Sequence, residues 1–252
     1  QLRDLNVWIE MPSGERIPSF RSSYAPNYDH DYVRDQLVDL ETYPPLGFAG
    51  RTRDGLGFIA CPSLPPENDD LYDRFFDKIA TLLDCPGMIV DLRGNRGGAE
   101  PRGAQIAGVL TQRRVIYARS QRRSGPRPDD LSESPPRYLA PHPSLYYPGP
   151  VVCLIGPGCV SSGEGFALMM AAVERATLVG QPTRGASGNP SPVALSNGVK
   201  VWFSRWISLT PDGVPIESRG VTPDVETSQG DRGDAGFERA RELLTRDRRI
   251  GD

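Results

Sequence analysis

The sequence predicts an α/β protein built on a mixed sheet, and three observations carry that prediction. Twice, a continuous apolar run ends in a glycine-rich loop that opens onto a helix-forming segment. The first is GMIVDL–RGNRGG–AEPRGAQIAGVL (87–110) and the second PVVCLI–GPGCVSSG–EGFALMMAAVERA (150–176). Strands alternating with helices in this way make parallel pairs. Third, two segments that alternate apolar and polar residues around tight-turn signals, LNVWIEMPSGERIPSFRSS (5–23) and VALSNGVKVWFSRWISLTPDG (193–213), read as antiparallel hairpins.

Taken in order, residues 1–23 hold the first hairpin, with Ser13-Gly14 at its turn. Two strands alone bury too little surface to be stable, so the hairpin reads as the tail of a module. Residues 24–53, polar and rich in tyrosine, read as a linker with one short helix. A strand follows from a glycine turn at 54–64. In NDDLYDRFFDKIATLLD, Leu71, Phe75, Phe76, Ile79, Leu82 and Leu83 recur at helical spacing behind an Asn68 start signal. Pro101 suits the first turn of the next helix, and RVIYARS reads as a strand. Residues 119–149, dense in Pro, Ser and Arg, read as a surface insertion within a core spanning 54–230. TLVG and VTPDV read as short strands, and 231–252 as a C-terminal amphipathic helix with a basic end.

Composition narrows the function. With Lys+Arg 29 against Asp+Glu 32, the net charge of −3 gives no basic excess for nucleic acid. No apolar run reaches the roughly 18 residues of a membrane span. The four cysteines have neither C-x-x-C spacing nor histidine neighbours, so buried thiols are expected, with no metal and no cofactor. Met169 and Met170 follow core spacing. Six arginines between Arg113 and Arg127 read as a solvated face of the insertion; the sharper reading is a contact for an acidic group or a terminal carboxylate on a substrate.

The two strand–loop–helix units carry the chemistry. Consecutive glycines in RGNRGG let backbone N–H groups approach a negative oxygen closely, whereas the spacing matches neither the dinucleotide nor the P-loop pattern. Asp91 and Arg93 read as a structural ion pair pinning that loop. Ser161-Ser162-Gly163-Glu164 fits an S-x-x-E capping box and equally a nucleophile placed at a helix mouth. Side by side at the carboxyl ends of neighbouring strands, these loops would offer an oxyanion hole and a nucleophile, as acyl transfer requires.

GMIVDLRGNRGG, PVVCLIGPGCVSSGEGFALMM, TLVGQPTRGASG and NGVKVWFSRWISLTPDGVPIESRGVTPDVE occur in an order that resembles the S41 serine peptidases, both the C-terminal processing (tail-specific) and the tricorn-like branches, from about Gly55 to Glu226. The resemblance implies a crotonase/ClpP-like β-β-α spiral core, with the opening hairpin as a partial PDZ-like module. It also implies a peptide or protein substrate and hydrolysis of peptide bonds, and it leaves homo-oligomerisation and compartment open. Ser161 becomes the nucleophile, with Ser162 the lesser alternative. The Ser162 N–H becomes one half of the oxyanion hole, and Gly97 or Gly98 the other.

The processing branch uses a lysine base after GQPT, and Ala186 stands at that position here. Arginine cannot replace it, because the guanidinium stays protonated. The tricorn-like branch uses a histidine base helped by a glutamate, which Glu217 matches. His30, between aspartates in NYDHDY, is the candidate histidine, while His142 lies in the insertion. A serine hydroxyl without a base is a weak nucleophile. That gap motivates an alternative expectation, a family member that binds peptides or another ligand without turnover.

Overall fold

The computed structural model describes residues 4–20, 23–127, 129–228 and 233–246. The first hairpin is formed by β1 (Trp8–Glu10) and β2 (Arg16–Pro18). A short helix, α1 (His30–Asp35), is capped by Asp29, whose carboxylate accepts the Tyr32 N–H. Then come β3 (Leu37–Tyr43), β4 (Gly47–Thr52), β5 (Gly57–Ala60) and α2 (Asp69–Ala80). The start signal at Asn68 is realised, its side chain accepting from the Leu71 N–H at 3.0 Å. The first strand–loop–helix unit gives β6 (Met88–Asp91) and α3 (Glu100–Gly108), followed by β7 (Val115–Gln121) and β8 (Pro136–Leu139). The second gives β9 (Val151–Ile155) and α4 (Ser162–Ala171), followed by β10 (Ala176–Gly180). The second hairpin is β11 (Ser191–Ala194) with β12 (Lys200–Phe203). The chain continues through β13 (Ile207–Leu209), β14 (Val225–Glu226) and α5 (Ala235–Arg246). The final helix is expected over 231–252, of which residues 231–232 and 247–252 lie outside the described residues.

Seven strands form the main sheet in the order β14-β10-β9-β6-β5-β4-β3, parallel from β14 to β5 and antiparallel from β5 to β3. The period-2 alternation of strand side chains decides its two faces. Met88 and Val90 of β6 and Cys153 and Ile155 of β9 join the core beneath α2, α3 and α4. Ile89, Val152 and Leu154 join a second cluster with Val33 of α1 and Phe237, Ala240 and Leu244 of α5. Both faces are therefore covered, which is why these strands read as unbroken apolar runs.

Three expectations are corrected. Residues 37–52, read as linker, supply β3 and β4 at one end of the main sheet. The exposed face of β3 hid them, because only Leu37 and Tyr43 of that strand are buried. The 119–149 insertion is tied in rather than loose. Its β8 pairs with β7 in a three-stranded sheet with β13, and Tyr147 is buried with its hydroxyl donating to Cys85 O at 3.0 Å. The opening hairpin does not stand apart either: β1 pairs with β12, and Trp8 stacks on Trp202 with ring centroids 5.0 Å apart.

One buried charge network locks the carboxyl end of β6. Arg93, fully buried, donates to both oxygens of Asp91, to Asn27 O, and to Asp234 Oδ1 at 2.6 Å. Asp234 also accepts the Phe237 N–H at the start of α5. Burial alone would raise the Asp91 pKa; the Arg93 guanidinium and His30 overcome that and hold the carboxyl well below the usual range. The structural ion pair expected for Asp91 and Arg93 is present, with Asp234 as a third member that spacing could not reveal.

Candidate active site

The loops after β6 and β9 meet. Asn95, buried in the first, accepts the Gly97 N–H on its side-chain oxygen at 2.8 Å, and its backbone carbonyl accepts the Val160 N–H of the second at 2.9 Å. The contact is close enough to require glycine. At Gly97 (φ +87°) an added Cβ would lie 2.9 Å from the Ser161 Cβ, and at Gly98 (φ +130°) it would collide with the Leu64 carbonyl.

Ser161 sits at the mouth of α4 with φ 59° and ψ −129°, a left-handed region that a non-glycine residue occupies only under constraint. That constraint is visible. The Ser161 N–H donates to Ala186 O at 3.0 Å, and its carbonyl accepts from Glu164 N–H, Gly165 N–H and the Ser187 hydroxyl. Its own hydroxyl makes no capping bond. The expected capping box is thus not completed, because the Ser161 hydroxyl does not cap, and Glu164 is used chiefly to hold the neighbouring loop. Fully buried, its carboxylate accepts from the Thr183 hydroxyl (2.6 Å), Gly185 N–H (2.6 Å) and Ala186 N–H (2.8 Å). Burial raises the Glu164 pKa against those bonds. The glutamate holds the 183–187 loop, and the loop holds Ser161.

The two serines differ. The Ser162 hydroxyl is committed to Gly98 O at 2.7 Å, whereas the Ser161 hydroxyl has no partner among the described residues. The two candidate glycines differ as well: the Gly97 N–H is taken by Asn95, while the N–H groups of Gly98 and Ser162 donate to no described residue. Ser161, Ser162 and Gly98 line one cleft of about 220 Å³, walled by Ser187, Asn189 and Trp206. A larger hollow of about 520 Å³ lies beside Leu168 and Ala171, on a later stretch of α4. It contains none of these groups, so chemistry rather than size marks the site.

Glu217 lies on the segment behind the 183–187 loop, to which its neighbour Ser218 is tied through Gly185 O at 2.8 Å. Burial, then the charge of Asp4, push its pKa up to about 7; the Ser187 N–H facing it opposes the shift, and the charge of Glu164 adds to it. His30 is not brought to the cleft. Its Nε2 lies 3.6 Å from Asp91 Oδ2, and its ring packs between Tyr28 and Phe48. Phe48 belongs to the cluster under α1 and α5, whereas α4 packs on the opposite face of the sheet. His142 accepts two backbone N–H groups of its own loop. Lys78 and Lys200 are paired with Glu41 and Glu10, and Ala186 is buried. Among the described residues no cluster of His, Cys, Asp or Glu could hold a metal ion, and all four cysteines are buried and free. Asn95, Ser187 and Trp206 were missed, since polar or aromatic residues in loops carry no periodic signal.

The sequence pattern of peptidase family S41 matches residues 55–227, well over half of the chain and all the residues that build this cleft. The chain belongs to family S41. Among curated S41-like relatives, the chloroplastic C-terminal processing peptidase of Tetradesmus obliquus is 34% identical over 181 residues, which cover 70% of this chain and 36% of that protein. The chain spans about a third of the length of the curated relatives it matches. Solved structures extend the fold likeness. A protein of Parabacteroides merdae matches 97% of this chain and 80% of its own, with TM-score 0.84 at 23% identity. The tricorn protease matches 77% of this chain and 18% of its own, with TM-score 0.55 at 22% identity. The S41 chain described here is thus a mixed α/β core, and no helix among its described residues is long and apolar enough to cross a membrane.

Proposed function

We propose that this chain is the core of a serine peptidase that hydrolyses peptide bonds, with Ser161 as nucleophile. The observation that carries the reading is that the Ser161 hydroxyl and two N–H groups beside it, Ser162 and Gly98, share one cleft and have no partner among the described residues. In the reaction the Ser161 oxygen attacks the scissile carbonyl and gives up its proton. The tetrahedral oxyanion accepts hydrogen bonds from Ser162 N–H and Gly98 N–H, the positions where charge develops. Collapse expels the amine, and water then releases the peptide acid from the acyl-enzyme. Glu217 is the candidate for that proton: its segment is tied to the 183–187 loop, it faces the N–H of Ser187 in the cleft wall, and its pKa is brought to about 7, where acid and base forms coexist. Ala186 in place of a lysine supports a tricorn-like rather than a serine–lysine arrangement.

A second reading has its own support. His30 faces away from the cleft and both lysines are ion-paired elsewhere, as expected of an S41 core that binds peptides without cutting them. A fluorophosphonate probe separates the two. Covalent labelling at Ser161, absent in Ser161→Ala, supports the peptidase; no labelling of a folded protein with the probe in large excess favours the binder.

A further inference from the structure

We infer that the cleft takes a peptide bearing a carboxylate beside the bond to be cut, held by Arg122 and Arg205. This rests on the serine-peptidase reading and adds a substrate class to it.

The wall of the cleft is Trp206, fixed in place because its indole N–H donates to Ser187 O at 2.7 Å. Two guanidiniums lie over that indole, Arg122 at 5.8 Å and Arg137 at 5.4 Å from the ring centroid. Their charges have different fates. Arg137 pairs with Glu100, which also accepts the Tyr117 hydroxyl. The Arg122 guanidinium has no carboxylate partner among the described residues. On the adjoining wall, Arg205 donates through Nε to the carbonyl of Asn189, a residue of the cleft, at 3.2 Å, and it too meets no described carboxylate. Two cations with no carboxylate partner among the described residues therefore neighbour two residues of the cleft wall, Trp206 and Asn189, while the carboxylate of the cleft itself, Glu100, is neutralised by Arg137.

The other five arginines of the 113–127 run are otherwise engaged. Arg113 pairs with Glu174 and Arg127 with Asp130, Arg119 and Arg123 donate to backbone carbonyls, and Arg114 lies over Tyr138. Arg122 alone of the six is turned to Trp206. A guanidinium laid on an aromatic face keeps its in-plane N–H groups free, and their fork matches a carboxylate. Neutral or cationic peptides would leave both charges unanswered, so the preference is a difference between substrates.

The test uses three peptides that share one neutral sequence: one with a single glutamate and an amidated C-terminus, one with glutamine instead and an amidated C-terminus, and the glutamine peptide with a free C-terminus. Binding is measured by fluorescence anisotropy on the full chain carrying Ser161→Ala, so that the readout does not depend on turnover. The glutamate peptide should bind roughly tenfold or more tighter than its glutamine counterpart, as for a charge-assisted hydrogen bond. That ratio should fall toward one in the added presence of Arg122→Gln with Arg205→Gln. Both residues are exposed, so the variants fold, and 0.5 M salt on the unmodified arginines should shrink the ratio in the same direction. A preference shown only by the free C-terminus assigns the carboxylate to the peptide end rather than a side chain. Equal binding of all three overturns the inference, and so does a preference that survives both arginine substitutions. Failure of fluorophosphonate labelling, by contrast, would overturn the peptidase reading and leave the binding ratios standing.

Discussion

Replacing Glu217 by glutamine should make the protein more stable above neutral pH while making Ser161 less reactive. In the folded chain the carboxyl has a pKa of about 7, raised first by burial, against an ordinary 4.5 in the unfolded chain. Between about pH 4.5 and 7 the folded state holds a proton that the unfolded state has released. Stability from this group is therefore full below pH 4.5, falls as pH rises through 7, and is level above. The gap corresponds to roughly 3 kcal/mol at about 1.4 kcal/mol per pKa unit. The side chain is only half-buried, and solvent screening reduces this to roughly 1–2 kcal/mol. Glutamine keeps the shape and the acceptor facing the Ser187 N–H but carries no charge. Urea unfolding at pH 8 should show the variant more stable by about 1–2 kcal/mol, about 3–6 °C in Tm for a chain of this size. At pH 4, where the native carboxyl is neutral, the two proteins should agree within a few tenths of a kcal/mol. Equal stability at pH 8, or a gain that persists at pH 4, would refute the reasoning. The same substitution should slow fluorophosphonate labelling at pH 8, a trade of function for stability at a site where charge is held under strain.

Three further outcomes follow from the packing. Arg93→Met would leave Asp91 and Asp234 buried without their cation, at a cost of roughly 3–5 kcal/mol, visible as a fall of about 10 °C in a thermal melt; an unchanged melt would contradict the network. Glu164→Ala would strand the Thr183 hydroxyl and two backbone N–H groups at about 1–3 kcal/mol each, and should abolish labelling of Ser161 by releasing the loop that holds it. Gly97→Ala must abandon φ +87° or push on the Ser161 Cβ, so labelling should drop by roughly 100-fold or more, the size of effect seen on losing an oxyanion donor, with far-UV circular dichroism unchanged.

The sequence by itself determined the elements whose signal is periodic or chemically singular. Unbroken apolar runs marked β5, β6 and β9 because both faces of those strands are covered, and Asn68 and the helical spacing behind it marked α2. The two glycine- and serine-bearing bends were legible because few residue types permit such close backbone approach, and they placed Ser161, Ser162 and one of Gly97 and Gly98 in one proposed centre; the Gly97 N–H bond to Asn95 left Gly98. Only the tertiary structure decided the rest. β3 was hidden because the edge strand of a sheet presents polar residues like a loop, and the partnership of β1 with β12 joins segments some 190 residues apart. His30 was the sequence's candidate base for the Ser161 nucleophile, and spacing could not say whether the two meet. The alternation of strand side chains sent Asp91, and His30 with it, to the face opposite α4. Which N–H groups, carboxylates and guanidiniums are left unpartnered is a property of three-dimensional pairing. A one-dimensional pattern lists donors and acceptors without saying which of them have already met.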